Sequence, residues 1–310
     1  MPIETARTQS RSLDRLVKAL VLALVVAVMS FGAYYYFDRR GTASPDLHDR
    51  AIEQAQQAVK ADPGSAAARL ALADAYLERN YHAEAIAQYD SALQLDDTLT
   101  DAHRGLGISY FEQSQFAQAE QELRKVIDGR KAGQFANTDK ALAEAYYFQA
   151  SAQVSQQRPA DAIPALESAL RIDRADADAW QLLGAAYLAS SKPDEAVKAL
   201  KQAVLFAPKY PEAYQALARA YGDIGDAPRA RYAQAMVLYS QGNNDQAIAD
   251  LRAVTSANSD VWEAWTGLGL AHEAKLQKKE AAEAFHRALA GSPDDFNARA
   301  GLARVAMPRS

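Results

Sequence analysis

No cysteine occurs among the 310 residues, which excludes disulfides, thiolate nucleophiles and thiolate metal sites. Histidine is scarce: His48, His82, His103, His272 and His286 are scattered, with no HExxH or other metal-ligand spacing. No GxxxxGK phosphate loop is present either. Gly105-Leu-Gly107 and Gly267-Leu-Gly269 fall inside helical patterns and read as packing glycines. Carboxylates such as Asp74, Glu78 and Glu112 are plentiful, but they sit at the spacings of solvated helix faces. With no constellation for acid–base or nucleophilic chemistry, no catalysis, cofactor or metal is expected. A positive balance is also missing. The formal net charge is −5, and residues 1–40 hold six Lys/Arg against three Asp/Glu, which leaves 28 against 36, or −8, for the remainder. A body of that sign repels phosphate backbones, so nucleic acid is not an expected partner.

What the chain has is apolar content, 49% of it, enough to bury a sizeable core. One apolar run stands apart. Residues 19–37 carry no formal charge, and at about 1.5 Å per residue they come close to the thickness of a bilayer hydrocarbon core. Tyr34, Tyr35 and Tyr36 then fall at headgroup level, with Arg39 and Arg40 in water beyond, an interfacial anchor. The competing reading is a cleavable signal peptide, since Ser30-Phe31-Gly32 offers small residues to a peptidase. The length of the run favours retention as a transmembrane helix. Arg7, Arg11, Arg15 and Lys18 precede it while Arg39, Arg40 and Arg50 follow, a slight bias that places residues 1–18 in the cytoplasm. The expected setting is a bacterial inner membrane crossed once, with the bulk of the chain in the periplasm. Residues 38–46 form a linker that reaches about 30 Å, so the body stays near the bilayer.

Beyond the linker the chain repeats itself. Trp180-Gln-Leu-Leu183-Gly184-Ala-Ala-Tyr187, continuing to Ala196, Leu200, Ala203 and Pro208, supplies a template. His103, Leu106, Gly107, Tyr110, Ala119 and Leu123 match it, as do Trp265, Leu268, Gly269, His272, Ala281, Phe285, Ala288 and Pro293. Looser copies run through Leu72, Ala73, Tyr76, Ala85, Tyr89 and Ala92, and through Tyr214, Leu217, Ala218, Tyr221 and Ala230. Leu72 and Leu106 lie 34 apart, as do Leu183 and Leu217. On these residues the chain resembles the tetratricopeptide repeats, helix-turn-helix units of 34 residues, over most of 47–306. The resemblance implies an all-α, right-handed α-solenoid of helix pairs, stacked so that each unit covers its neighbour's apolar face.

Departures from the 34-residue period are informative. Leu106 to Leu183 exceeds two repeats by nine residues, which places a loop at 128–140, tolerated as lengthening or used as a contact site. Leu217 to Leu268 exceeds one repeat by half a unit, which predicts one extra helix at 228–240 and a break in phase there. The expected division is a stack over 47–224 and a C-terminal module over 228–306, closed by a capping helix. Pro164 is expected to shorten or kink the second helix of its unit.

The resemblance also implies a groove lined by the first helix of each unit. Carried onto the matching turns, it comprises Leu70, Asp74, Leu77 and Glu78, then Arg104, Ile108, Phe111 and Glu112. The third unit adds Tyr147, Phe148, Ser151 and Val154, and the fourth Gln181, Ala185 and Leu188. Family members that clamp a C-terminal carboxylate use Lys, Asn and Arg on these turns, whereas Leu70, Asp74 and Gly105 stand here, which argues against that partner class. An apolar, weakly acidic lining suits a protein or peptide partner with aliphatic anchors and basic flanks. The expected function is a non-enzymatic membrane-tethered scaffold or adaptor for membrane or envelope proteins, with no small-molecule substrate. Two alternatives stand beside it. One is a permanent structural subunit held by its spanning helix through Ala23, Ala27, Ser30, Gly32 and Ala33, and the other a soluble secreted repeat protein.

Overall fold

The computed structural model describes residues 47–306, and among them it contains fifteen α-helices and no strand. In chain order these are α1 (Leu47–Ala61), α2 (Ala66–Glu78), α3 (His82–Leu95), α4 (Thr100–Glu112) and α5 (Phe116–Arg130). They continue as α6 (Lys140–Ser155), α7 (Pro159–Ile172), α8 (Ala177–Ala189), α9 (Pro193–Phe206) and α10 (Pro211–Asp223). The last five are α11 (Ala227–Ser240), α12 (Asn244–Ala257), α13 (Trp262–Ala274), α14 (Lys278–Gly291) and α15 (Phe296–Ala306). The charge-free run 19–37, with Tyr34, Tyr35, Tyr36, Arg39 and Arg40, lies outside the described residues. Among those described, no helix is long and apolar enough to cross a membrane.

Helices of this length are marginal alone in water, so their ends and faces must be secured by neighbours. Ser65, Asp139, Asp176 and Asp226 cap helix N-termini by accepting a backbone N–H three residues on. Pro159, Pro193 and Pro211 open α7, α9 and α10, where a missing N–H costs nothing.

Two kinds of turn alternate along the chain. After α2, α4, α6 and α8 the turn is three residues long with a left-handed middle residue: Asn80, Ser114, Gln157 and Ser191. The turns that lead into α4, α8 and α10 are four residues long and have no such residue. The short turn folds two helices into one unit, and the longer turn passes to the next. At α11 the alternation fails. Gly225 before it and Gly242 after it both have positive φ, so two short turns follow one another. The extra helix expected at 228–240 is present as Ala227–Ser240, and it ends one kind of unit while beginning another.

This shows in the packing. Sequential neighbours all touch, and α2, α4, α6, α8 and α10 also touch one another in succession as a row. Beyond the double turn the row continues through α11, α13 and α15. One hydrophobic cluster runs unbroken from Leu188 to Ala298 through α11, whereas the N-terminal half holds four smaller clusters.

Close approach between successive helices depends at several contacts on glycine. A methyl added at Gly105 would lie 2.1 Å from the ring of the fully buried Tyr89, and one at Gly107 2.5 Å from Leu123. Gly184 meets Leu200 at 2.4 Å and Gly269 meets Phe285 at 2.3 Å in the same way. Between these contacts the core is mostly alanine, with Ala73, Ala85, Ala119, Ala196 and Ala281 fully buried.

Two sequence expectations meet details of the structure. The 128–140 insertion is a nine-residue connection that includes a 3-10 turn at Ala136–Thr138, braced by Arg130, which donates to Asp101 and Asp139. Pro164 does not shorten α7, which runs the same 14 residues as α9. Its position in the second turn forfeits one hydrogen bond near the helix start, and the rest of the ladder continues.

Glycine substitutions should therefore split by sign. Gly105→Ala should cost about 1–3 kcal/mol by driving a methyl into Tyr89, while Gly222→Ala, with nothing within 4 Å, should gain about 0.5 kcal/mol. Urea unfolding of both variants checks this, and equal shifts would refute the packing account.

Candidate functional site: the row of first helices

The row from α2 to α10 brings the residues expected to line a groove onto consecutive elements, each set one unit from the next. Phe116, Phe111, Phe148 and Tyr147 form a ladder of rings across α4, α5 and α6, with successive centroids 5.6, 5.4 and 5.5 Å apart. Each ring is half-buried. The ladder thus presents apolar surface while bracing two units. Farther along, Gln181, Ala185 and Leu188 on α8 meet Glu212, Gln215, Ala216 and Arg219 on α10 around a recess of about 380 Å³.

Polar side chains stitch the row together. Tyr89 donates to Asp74 Oδ1 at 2.7 Å within one unit, and Arg104 donates to Glu144 Oε2 at 2.7 Å across units. Tyr210 donates to Asp178 Oδ1 at 2.7 Å. Burial pushes the Asp74 carboxyl above its ordinary range, with the Tyr89 hydrogen bond opposing. Burial raises the Tyr89 phenol too, and its bond to the carboxylate adds to the shift. Asp139, at the start of α6, goes the other way. Burial pulls it up, but the Arg130 guanidinium and the Leu142 N–H outweigh that and hold it low.

Not every expected residue is available for contact. Ser151 is buried and its hydroxyl donates to the Tyr147 carbonyl at 2.9 Å, so it serves its own helix. Leu188 is 8% exposed and belongs to the large cluster, touching the recess only at its edge. Leu70, Leu77 and Val154 pack against the clusters beneath them. Ile108 is half-buried, and Glu78 and Glu112 are exposed. The sequence reading missed Glu144, Asp178 and Tyr210, and it stopped one unit short. Gln215 and Arg219 stand 34 residues after Gln181 and Ala185, so extending the same period would have found the far wall of the recess. In the insertion, Phe135 is 73% exposed, a solitary ring at the tip of the braced loop.

Repeated two-helix units around an alanine core, with one helix of each aligned in a row, define a helical-repeat scaffold. Tetratricopeptide-repeat models match residues 209–249, 232–296 and 153–220, and a TPR-repeat model matches 73–114, together more than half of the chain. The chain belongs to the tetratricopeptide-repeat family. Among solved structures it is similar to YrrB, described as a TPR protein with an unusual peptide-binding site, at 20% identity and TM-score 0.53, over 64% of this chain and 98% of that one. It is also similar to MamA, at 24% identity and TM-score 0.51, over 58% and 94%. MamA from Desulfovibrio magneticus RS-1 gives 20% identity and TM-score 0.51, over 57% and 96%. These are likenesses of fold. No curated protein sequence matches this chain.

The raised Asp74 carboxyl has a pH signature. A carboxyl that keeps its proton to higher pH when folded favours folding at low pH, and that contribution is lost as pH rises from the ordinary value of 3.8 upward. Asp74→Asn retains an oxygen for Tyr89 and removes the titration. Its urea midpoint should rise relative to the unsubstituted protein between acid and neutral pH, and a constant difference would refute the assignment.

Proposed function

We propose that this chain is a non-enzymatic, membrane-tethered scaffold that holds protein or peptide partners along the α2–α10 row and so helps assemble a membrane or envelope complex. The observation that carries the reading is the row itself. Half-buried apolar side chains recur on consecutive first helices, and those helices carry more carboxylates than Lys and Arg. Such a surface fits a segment with aliphatic or aromatic anchors and basic flanks. YrrB is described as having a peptide-binding site, but at this identity the likeness is one of fold, so the reading rests on the row.

The tether follows from the charge-free run 19–37 and the tyrosines that close it. A linker of nine residues would keep the row near the bilayer, raising the effective concentration of membrane partners without high intrinsic affinity. Inner-membrane placement with the repeats in the periplasm completes the proposal.

Two measurements test it. After alkaline carbonate extraction the intact chain should remain with the membrane, and release with residues 1–40 still attached would overturn the tether. Crosslinking in native membranes should capture partners that weaken with salt. Ala185→Arg with Gln215→Arg should reduce that capture roughly tenfold without loss of helicity. A fixed, stoichiometric partner set indifferent to salt and to these substitutions would instead indicate a permanent subunit.

A further inference from the structure

The change of row from α10 to α11 leaves a cavity of about 430 Å³, walled by α9, α10, α11, α13 and the turn into α15. None of the residues expected to line the groove borders it. Its floor is aromatic and soft: Tyr214, Tyr221 and Tyr232 with Met236, all buried, and Trp262 on the wall. Tyr214 and Tyr232 stand edge to face, 6.4 Å between centroids and 88° between planes.

The charged groups at its mouth are largely committed to one another. Lys201 donates to Glu263 Oε1 at 3.2 Å, and Arg229 lies 3.6 Å from Glu263 Oε2 while donating to Asp226 at 2.9 Å. Across the opening Asp295 accepts from Thr266 and caps α15, and Asp294 pairs with Arg299. Three cations thus face four carboxylates, and the extra one, Asp295, already accepts from the Thr266 hydroxyl and the Ala298 N–H, which leaves little pull on a free ion. Its remaining polar groups are neutral. Gln202 and Asn297 bring side-chain amides, and the Tyr221 hydroxyl, on a residue only 3% exposed, has no hydrogen-bond partner among the described residues. That hydroxyl borders the cavity and, with no protein acceptor, is free to donate to an acceptor brought in by an occupant. At the rim Phe296 is 65% exposed and extends the aromatic surface outward.

We propose that this cavity is a second docking site, which takes one uncharged aromatic residue of a partner polypeptide. The ring enters among Tyr214, Tyr221, Tyr232 and Trp262, and a backbone carbonyl beside it accepts from the Tyr221 hydroxyl. The volume lies in the range of ligand pockets and admits an aromatic side chain with part of its backbone. Ring-on-ring contact rewards an aromatic occupant over an aliphatic one beyond area alone. Amide side chains at the mouth match peptide groups. The site does not depend on the α2–α10 row.

Methionine provides the probe, because the chain has four and one of them, Met236, lines the cavity. In the full chain in detergent micelles, carbon-13 methyl spectra identify the Met236 signal by its loss in Met236→Leu. The capped tripeptide acetyl-Gly-Phe-Gly-amide should shift that signal saturably, and its leucine and alanine counterparts should bind about tenfold more weakly. Tyr221→Phe, which removes the hydroxyl alone, should weaken the phenylalanine peptide about fivefold. Ala185→Arg with Gln215→Arg should leave binding intact. The proposal is overturned by an unmoved Met236 signal up to roughly 10 mM peptide, by a leucine peptide that binds as well, or by unchanged affinity in Tyr221→Phe. Loss of binding in the double arginine variant would overturn it as well, by assigning the peptide to the row.

Discussion

The fold depends on how closely successive helices can approach, and at four of the contacts that distance is set by what is absent from one of them. Tyr89 lies over Gly105, Leu123 over Gly107, Leu200 over Gly184 and Phe285 over Gly269, each where a methyl would collide. A glycine inside a helix costs about 0.5–1 kcal/mol of conformational freedom. The large side chain seated above it recovers more than that, because a fully buried Leu or Phe contributes about 1.5–3 kcal/mol. The exchange fixes the spacing at these contacts, and fully buried alanines such as Ala73 and Ala150 permit it where no glycine stands. A fixed spacing in turn lets first helices line up as a row, and the row puts half-buried side chains on one continuous surface.

Direction is a separate matter, decided in the turns. A three-residue connection with one left-handed residue closes a unit, and a four-residue connection opens the next. Where the array changes register, at Gly225 and Gly242, the left-handed residue is glycine, which adopts that conformation without steric penalty. The same change of register draws α13 back toward α9 and encloses space that a regular stack would not. Local backbone chemistry at two positions thus produces the pocket, while side-chain packing produces the row.

Much of this was legible in the sequence, for physical reasons. The period of 34 follows from Leu, Gly and Tyr recurring on one helix face, so the insertion at 128–140 and the surplus helix at α11 could both be read from spacings alone. The packing role of Gly105 and Gly107 followed from their place inside a helix. What could not be read was which side of a first helix faces outward at each residue. Ser151 and Leu188 sit where the repeat puts lining residues, yet one bonds to its own helix and the other fills the core. Tyr210, Asp178 and Glu144 escaped notice because they act across units, through partners 32 to 40 residues away. The cavity beside α11 was invisible for the same reason, since its walls come together only after the row has shifted. Pro164 leaves the length of α7 unchanged because its cost depends on the turn it occupies, which the pattern alone does not locate.

The bond between Lys201 and Glu263, 62 residues apart, joins α9 to α13 within the C-terminal half. An open stack of helix pairs behaves as a spring, yielding at each interface in turn. From α9 to α13 one uninterrupted core limits that compliance across four successive connections, and the partly exposed ion pair above it adds at most about 1 kcal/mol. Under tension the N-terminal coils, built on small separate clusters, would stretch first. The portion beyond α8 would hold its shape as a rigid head on an elastic neck.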